Sequence, residues 1–194
     1  MITIKEMAEM PVRLTEGHRL CAGCAEPIVA KQVLLATDKP VVVANATGCF
    51  EVSTSGFPQS AWEVPWIHTA FATTAATISG VESAYVSLKR KGKISEDIRF
   101  VAFGGDGATY DIGLQALSGA IERGHRFMYV CLNNEAYMNT GIQRSGATQR
   151  GASTTTCPSG TCIPGKKEIP KDLTKIIAAH KLPYAAQASP HNWK

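Results

Sequence analysis

Two polar clusters each follow a short apolar run in the middle of the chain. Asp106 follows the run 100–103 within the sequence Gly-Asp-Gly, and Asn134 follows the run 127–132. Carboxylate and amide oxygens suit a Mg²⁺ ion that also takes phosphate oxygens, and the flanking glycines allow a sharp turn and a close approach to a ligand. The clusters therefore indicate a magnesium–phosphate site. The alternative is a tight turn in which Asp106 caps the following helix.

The elements around these clusters are predicted to bring them together. The two apolar runs have the length of β-strands, and four apolar residues between them recur at helical spacing: Tyr110, Leu114, Leu117 and Ile121. Two strands joined by a crossover helix are parallel, and open α/β sheets bind ligands at the carboxyl ends of their strands. Both clusters are therefore expected at the same edge of one sheet.

Cysteines form a second group of candidate ligands. Cys21 and Cys24 form a CxxC pair before a predicted helix at 27–36, and Cys49 follows a predicted strand at 41–44. That strand would carry Cys49 to the same sheet edge as the Gly-Asp-Gly motif. Cubane iron–sulfur clusters and structural zinc sites both need four ligands. A thioredoxin-like dithiol is a third interpretation, weakened because no strand precedes the pair.

Composition predicts a globular, mildly basic chain. The 194 residues include 19% charged and 44% hydrophobic residues, with a net charge of +4, and they most simply form one domain with a cysteine loop at about 17–50. The run 89–93 is densely basic, which favours a solvated loop or a surface that steers an acidic electron carrier. Nucleic-acid binding is not expected, because no surface that combines aromatic and basic residues accompanies this run. We expect a cytoplasmic protein that binds neither nucleic acid nor membrane.

Five sequence strings together resemble one enzyme family. They are HRLCAGCAE, NATGCFE, VPWIHTAF, FGGDGATYDIG and NNEAYMNTGIQRSGAT, which lie between residues 18 and about 156. In this order they resemble the thiamine diphosphate-binding β subunit of pyruvate:ferredoxin oxidoreductase, or pyruvate synthase, of the 2-oxoacid:ferredoxin oxidoreductase family. The string EAYMNTGIQ discriminates far better than GDG or CxxC. The resemblance implies an α/β fold, with an open, mainly parallel sheet and helices on both faces.

The resemblance also implies roles for individual residues. Mg²⁺ would be held by Asp106, by the side chain of Asn134 and by the carbonyl of Ala136. Asn139 would act in catalysis by hydrogen-bonding a developing oxyanion; its alternative is a turn residue. The residues expected around thiamine diphosphate are Glu26, Cys49, Gly105, Asp106, Gly107, Ala108, Asn134, Glu135, Ala136, Tyr137, Met138 and Asn139. For Glu26 the alternative is a carboxylate that only begins a helix.

Three cysteines match ligands of the family's [4Fe-4S] cluster. They are Cys21, Cys24 and Cys49, and the family's fourth ligand lies beyond the point where this sequence ends. The C-terminal part is therefore expected to be incomplete. Cys157 and Cys162 are local substitutes that would ligate a cluster, bind zinc or form two exposed thiols.

The activity implied by the resemblance is oxidative decarboxylation of pyruvate with coenzyme A to acetyl-CoA and CO₂. Electrons would pass through the cluster to ferredoxin, and the reverse reaction would fix CO₂. The chain would act only with α, γ and δ-type subunits, because the glutamate that activates thiamine in this family lies on another polypeptide. One alternative is the same reaction on another 2-oxoacid. The other is a non-catalytic assembly domain that binds zinc or a cluster.

Several further residues have structural interpretations. Cys131 is predicted to lie in the core, Trp62 and Trp66 to be core or interface anchors, and His68 to pack beside Trp66 or to reach the site. The segment 69–90 is predicted to be a helix. At positions 71–72 the sequence has Phe-Ala, where relatives often carry a polar pair.

Overall fold

The architecture is a parallel sheet between two layers of helices. The structure is a computed structural model that describes residues 3–161 and 164–191. The main sheet contains β1 (Val41–Ala46), β2 (Trp66–Thr69), β3 (Arg99–Gly105) and β4 (Met128–Leu132), in the order β2-β1-β3-β4. All three strand pairs are parallel. The predicted open α/β sheet is therefore confirmed.

In the part of the chain that the structure describes, six α-helices and one small hairpin accompany this sheet. The helices are α1 (Ile4–Glu9), α2 (Glu26–Leu35), α3 (Cys49–Thr54), α4 (Thr74–Arg90), α5 (Leu114–Glu122) and α6 (Leu173–Ala178). A π-helical segment, Gly107–Ile112, precedes α5, and β5 (Ala136–Tyr137) pairs antiparallel with β6 (Gln143–Arg144). Across the described ranges, none of the helices combines the length and the apolar character needed to cross a membrane.

Alternating strand residues explain why helices cover both faces of the sheet. In β1, Val41 and Val43 face a cluster that contains Leu34 of α2, whereas Ala44 faces the opposite cluster with Ile78 of α4. Strand side chains point alternately to the two faces, so each strand contributes to both cores. Sheets covered on both faces have predominantly apolar strands, and β1 is apolar except at the buried Asn45.

The predicted helical stripe lies on α5 and on the segment before it. Leu117 is buried against Ala75 of α4, and Tyr110 is buried in the π-helical segment. Leu114 and Ile121 are half-buried. The stripe is therefore confirmed, although its first turn is π-helical rather than α-helical.

The helix predicted at 69–90 begins later than expected. Residues 66–69 form strand β2, and α4 begins at Thr74. Thr69 is buried, pairs with Ala46, and donates its hydroxyl to the carbonyl of Asn45 at 3.1 Å. These sheet contacts hold this β-branched residue in an extended conformation, so the prediction for Thr69 was wrong.

Strand register places three strand ends at one edge. Gly105 at the end of β3 is opposite Leu132 at the end of β4, and Asn45 near the end of β1 is opposite Phe103. The segments that follow these strands therefore begin close together. This edge carries the site described next.

Candidate functional site

A cleft lies at the carboxyl ends of β1, β3 and β4. Of the residues predicted to surround a cofactor, eleven line it: Glu26, Cys49, Gly105, Asp106, Gly107, Ala108, Asn134, Ala136, Tyr137, Met138 and Asn139. The structure therefore brings together side chains from α2, α3, the π-helical segment and the β5–β6 hairpin. Glu135 differs, because its exposed side chain accepts a hydrogen bond from Gln149 at 3.0 Å outside the cleft lining.

Asp106 is the most deeply buried acid of the cleft. It is 2% exposed, and its Oδ2 accepts a hydrogen bond from the hydroxyl of Ser145. Its side chain makes no capping hydrogen bond to the following segment, so the capping alternative is not the arrangement found. Burial raises the pKa of Asp106 to about 6, with a smaller increase from the charge of Asp111, against the hydrogen bond from Ser145. A nearby cation would reverse the effect of burial by favouring the charged form.

Asn134 and Glu26 present unpaired oxygen atoms to the same cleft. Asn134 Nδ2 donates to Glu26 Oε1 at 3.1 Å, which leaves Asn134 Oδ1 and Glu26 Oε2 buried without a hydrogen-bond partner. Burial raises the pKa of Glu26, and the charge of Asp106 adds to this increase. Glu26 is also the first residue of α2, so it both begins a helix and enters the cleft. Unpaired buried oxygens are costly, which makes these two atoms candidates for contact with a cation or ligand.

The ring of Tyr137 lies against the backbone of Gly107. Its hydroxyl lies 3.2 Å from the carbonyl of Gly107, to which it donates, and 3.1 Å from Oδ2 of Asp111. A Cβ atom at Gly107 would lie 2.3 Å from Cε1 of Tyr137. Neither Gly105 nor Gly107 has a positive φ. Gly107, the second glycine of the motif, is therefore explained by the lack of space for a side chain beside the Tyr137 ring rather than by a sharp turn.

Asn139 and Cys49 meet at the opposite wall of the cleft. Asn139 lies in the turn between β5 and β6, as its alternative interpretation predicted, and it also lines the cleft. Burial raises the pKa of the Cys49 thiol, and the charge of Glu26 adds to it, while a hydrogen bond from the Asn139 backbone amide opposes the increase. Ala136 is buried, and its carbonyl accepts a hydrogen bond from Met138 N at 2.9 Å.

The predicted cluster cysteines lie near one another without forming a single-ion site. Charges on Cys21 and Cys24 contribute to the raised pKa of Cys49, and burial is the main cause of the raised pKa of Cys24. Within residues 3–161 and 164–191, no three His, Cys, Asp or Glu side chains are arranged to hold one metal ion. The [4Fe-4S] cluster on these three cysteines therefore stays a prediction.

Cys131 and Cys157 are not part of the cleft lining. Cys157 is half-buried rather than exposed, and the prediction for Cys162 lies outside the described residues. Cys131 in β4 is also only half-buried, and desolvation raises its pKa to about 12. The Cys131 thiol is thus even less ionised at neutral pH than an ordinary thiol.

Sequence reasoning missed a row of three polar side chains near the end of β1. Thr47 lines the cleft, and its Oγ1 lies 2.7 Å from Nε2 of His68, whose Nδ1 is 3.6 Å from the buried carboxylate of Glu51. His68 also stacks on Trp66 at 6.3 Å between ring centroids, as predicted. Trp62 is buried in the core. Placing His68 next to Thr47 would have required a prediction that residues 66–69 form a strand.

Sequence reasoning also missed the contribution of Ser145 and Phe71. Ser145 lies 39 residues after Asp106, yet its hydroxyl contacts that carboxylate. The ring of Phe71 lies 5.8 Å from that of Tyr137 and lines the cleft. No short-range spacing relates these residues, because the chain brings them together through the β5–β6 hairpin and the loop before α4.

The chain belongs to the family described as thiamine pyrophosphate enzyme, C-terminal TPP binding domain. That family's model matches residues 46–192, which include most of the cleft lining. The matched segment contains β3, β4 and the polar residues that follow them, together with the segment that follows β1. The class of protein that the five sequence strings resemble, one that binds thiamine diphosphate, is therefore confirmed.

Within this class, the chain is similar to subunits of particular oxidoreductases. The chain is 54% identical to pyruvate synthase subunit PorB of Thermotoga maritima, over 97% of this chain and 61% of the relative. It is 55% identical to pyruvate synthase subunit PorB of Methanocaldococcus jannaschii, over 89% of this chain and 58% of the relative. Ketoisovalerate oxidoreductase subunit VorB of Pyrococcus horikoshii is 46% identical over 89% of this chain and 56% of its own length. The chain thus spans about three fifths of the length of these curated relatives.

A solved structure has the same fold. It is 2-oxoglutarate:ferredoxin oxidoreductase from Magnetococcus marinus with 2-oxoglutarate, coenzyme A and succinyl-CoA bound. The TM-score is 0.69 at 19% identity, over 87% of this chain and 53% of that one. At this identity the likeness shows the fold alone.

The cleft residues fit thiamine diphosphate with Mg²⁺. Asp106 offers a buried carboxylate, and Asn134 Oδ1 is a buried oxygen without a hydrogen-bond partner in a residue that lines the same cleft. Hard oxygen donors of this type suit Mg²⁺, which completes its shell with phosphate oxygens and water.

Proposed function

We propose that residues 1–194 form one thiamine diphosphate-binding domain, which is part of the β subunit of a 2-oxoacid:ferredoxin oxidoreductase that acts on pyruvate. The reaction is oxidative decarboxylation of pyruvate with coenzyme A to acetyl-CoA and CO₂, and its reverse. The observation that carries the proposal is the unpaired, buried Asn134 Oδ1 in the same cleft as Asp106. The 54% identity to a pyruvate synthase subunit favours pyruvate as the 2-oxoacid.

In this proposal three residues hold Mg²⁺. Asp106 supplies a carboxylate oxygen, Asn134 supplies Oδ1, and Ala136 supplies its backbone carbonyl. The raised pKa of Asp106 supports the assignment, because a carboxylate whose ionisation is opposed by burial gains most from an adjacent cation. A carbonyl oxygen has two lone pairs, so Ala136 is able to bind a cation while it accepts the amide of Met138.

The remaining cleft residues position the cofactor and the substrate. Gly105, Gly107 and Ala108 line the diphosphate, and residues 134–139 surround the rest of the cofactor. Bound thiamine diphosphate supplies the carbanion that attacks the keto carbon and accepts the electron pair when CO₂ leaves. Asn139 lies at the cleft surface, where its amide would donate to an oxyanion on the substrate.

The electron route and the partners come from the resemblance. Cys21, Cys24 and Cys49 are proposed as three ligands of a [4Fe-4S] cluster, which needs a fourth thiolate. Ferredoxin is the proposed electron acceptor, and α, γ and δ-type subunits are the proposed partners in the cytoplasm. The proximity of the three thiols supports this assignment, because burial raises the pKa of Cys49 and charges on Cys24 and Cys21 add to the increase.

The test is an assay of the full-length protein assembled with its partner polypeptides and purified without oxygen. Reduction of a viologen dye is measured with coenzyme A and each of three 2-oxoacids: pyruvate, ketoisovalerate and 2-oxoglutarate. We expect pyruvate to give the largest kcat/KM. Absence of activity with all three would contradict the proposal.

Ketoisovalerate is the second candidate substrate. The 46% identity to a ketoisovalerate oxidoreductase subunit favours it. A larger kcat/KM with ketoisovalerate than with pyruvate would change the substrate and leave the reaction class in place.

A further inference from the structure

One short segment contacts both halves of the proposed metal site. We call it the strap, residues 145–148. At its first residue, the hydroxyl of Ser145 donates to Oδ2 of Asp106, and at its last, the hydroxyl of Thr148 donates to the carbonyl of Glu135. Glu135 follows Asn134 directly. The strap therefore links the carboxylate after β3 to the polypeptide after β4.

Hydrogen bonds inside the strap fix the direction of these contacts. Ser145 Oγ accepts the amide proton of Ala147 at 3.1 Å, and Thr148 Oγ1 accepts the amide proton of Ser145 at 2.8 Å. Each hydroxyl is thereby left with its own proton to donate, to Asp106 in one case and to the Glu135 carbonyl in the other. Both hydroxyl residues are almost fully buried, with Ser145 at 0% exposure. Water therefore does not compete for these bonds.

Two lysines anchor the strap from outside the cleft. Lys166 is 2% exposed, and its Nζ donates to the carbonyl of Thr148 at 2.5 Å. Gly146 N donates to Asp111 Oδ2 at 2.8 Å, and Lys171 Nζ donates to the other carboxylate oxygen at 2.7 Å. These contacts hold the strap in one place, so the hydroxyl of Ser145 is fixed before any ligand binds.

We propose that Ser145 is a positioning residue for the magnesium ligand Asp106. Among the described residues, it is the only side chain that donates to that carboxylate. By occupying Oδ2 it fixes the rotation of the carboxylate and its distance from the segment that carries Asn134. The inference rests on the proposed function, because it concerns Mg²⁺ held with thiamine diphosphate. Groups that orient a metal ligand in this way typically change metal affinity by about 10- to 100-fold.

The test measures how thiamine diphosphate binding depends on Mg²⁺. Equilibrium dialysis of the full-length protein in its complex gives the bound thiamine diphosphate at a series of Mg²⁺ concentrations. Two variants remove the strong donor: Ser145→Ala, and Ser145→Cys, which keeps the side-chain shape but donates weakly. The matched control is Ser79→Ala, which removes a buried hydroxyl that bonds only the carbonyl of Ala75 in α4.

We expect both Ser145 variants to need about tenfold more Mg²⁺ for half-saturation, and to reach the wild-type number of sites at high Mg²⁺. If Ser145 has only a structural role, the variants would have fewer thiamine diphosphate-binding sites, and high Mg²⁺ would not restore their number. That result would overturn the inference. Half-saturation equal to that of Ser79→Ala would also overturn it. If the wild-type protein itself shows no Mg²⁺-dependent binding, the proposed function fails, and the inference fails with it.

Discussion

At the scale of single residues, Gly107 and Tyr137 show how closely the cleft is packed. A Cβ at Gly107 would lie 2.3 Å from Tyr137 Cε1. The ring has little freedom to move away, because its hydroxyl contacts the carbonyl of Gly107 and the carboxylate of Asp111. The requirement for glycine thus comes from a residue 30 positions later in the chain.

Gly107→Ala is expected to destabilise the fold by about 1–3 kcal/mol, because the added methyl group forces the Tyr137 ring out of its position. Urea unfolding measures the change. Gly80→Ala is the matched control, since no atom lies within 4 Å of a Cβ built there in the middle of α4. The control is expected to gain about 0.5–1 kcal/mol. Equal stability of the two variants would contradict the packing argument.

The sequence predicted the cleft residues that follow strands, but not those that reach it from elsewhere. Asp106 and Asn134 were predictable, because each directly follows an apolar run and parallel strands end at one edge. Ser145 was not, because its contact with Asp106 depends on the path of the β5–β6 hairpin and the strap. His68 was not placed beside Thr47, because the short strand β2 that carries it was not predicted.

At the scale of elements, the strap depends on Asp111 in the π-helical segment. Burial acts to raise the pKa of Asp111, but hydrogen bonds from Lys171 and from the amide of Gly146 outweigh it, so the pKa lies below its ordinary value of 3.8. A carboxyl group with a lowered pKa stabilises the fold above the unfolded-state value. That stabilisation is lost as the pH falls through the folded-state pKa.

Asp111→Asn is therefore expected to lower the free energy of unfolding by about 1–3 kcal/mol at pH 7. The difference from wild type is expected to shrink progressively below pH 3.8, the ordinary value for this group. Urea unfolding at a series of pH values measures it, with the exposed Asp38→Asn as control. The role of the Asp111 charge would be contradicted if the difference in the free energy of unfolding between wild type and Asp111→Asn stayed constant down to the lowest pH at which the protein is folded.

Main-sheet strands were predicted more reliably than the turns between them. β1, β3 and β4 are predominantly apolar, with Asn45 and Arg99 as the exceptions, which is typical of buried parallel strands. The π-helical segment was not predicted, because π-helical and α-helical turns differ by one residue in hydrogen-bond spacing and share an apolar pattern. The two-residue strands β5 and β6 carry too short a pattern for any periodicity to be visible.

At the scale of the whole molecule, the cysteines near the cleft test the proposed cluster. In the complex purified without oxygen, Cys49→Ser is expected to remove about four iron atoms per copy of this chain, because a cubane cluster depends on all its thiolates. Iron analysis measures the loss. Cys131→Ser is the matched control, since Cys131 lies in β4 with a pKa raised to about 12, outside the cleft lining. Wild-type iron content in Cys49→Ser would contradict the assignment.

The central claim is that the cleft holds thiamine diphosphate through Mg²⁺ on Asp106. Equilibrium dialysis of thiamine diphosphate with the full-length complex, with and without Mg²⁺, tests it most directly. The wild-type protein is expected to bind only with Mg²⁺, and Asp106→Ala is expected to bind at least about 100-fold more weakly, because a direct ligand is lost. Asp97→Ala, before the start of β3 and half-exposed, is expected to bind as wild type does. Binding by Asp106→Ala with wild-type affinity and Mg²⁺ dependence would contradict the claim.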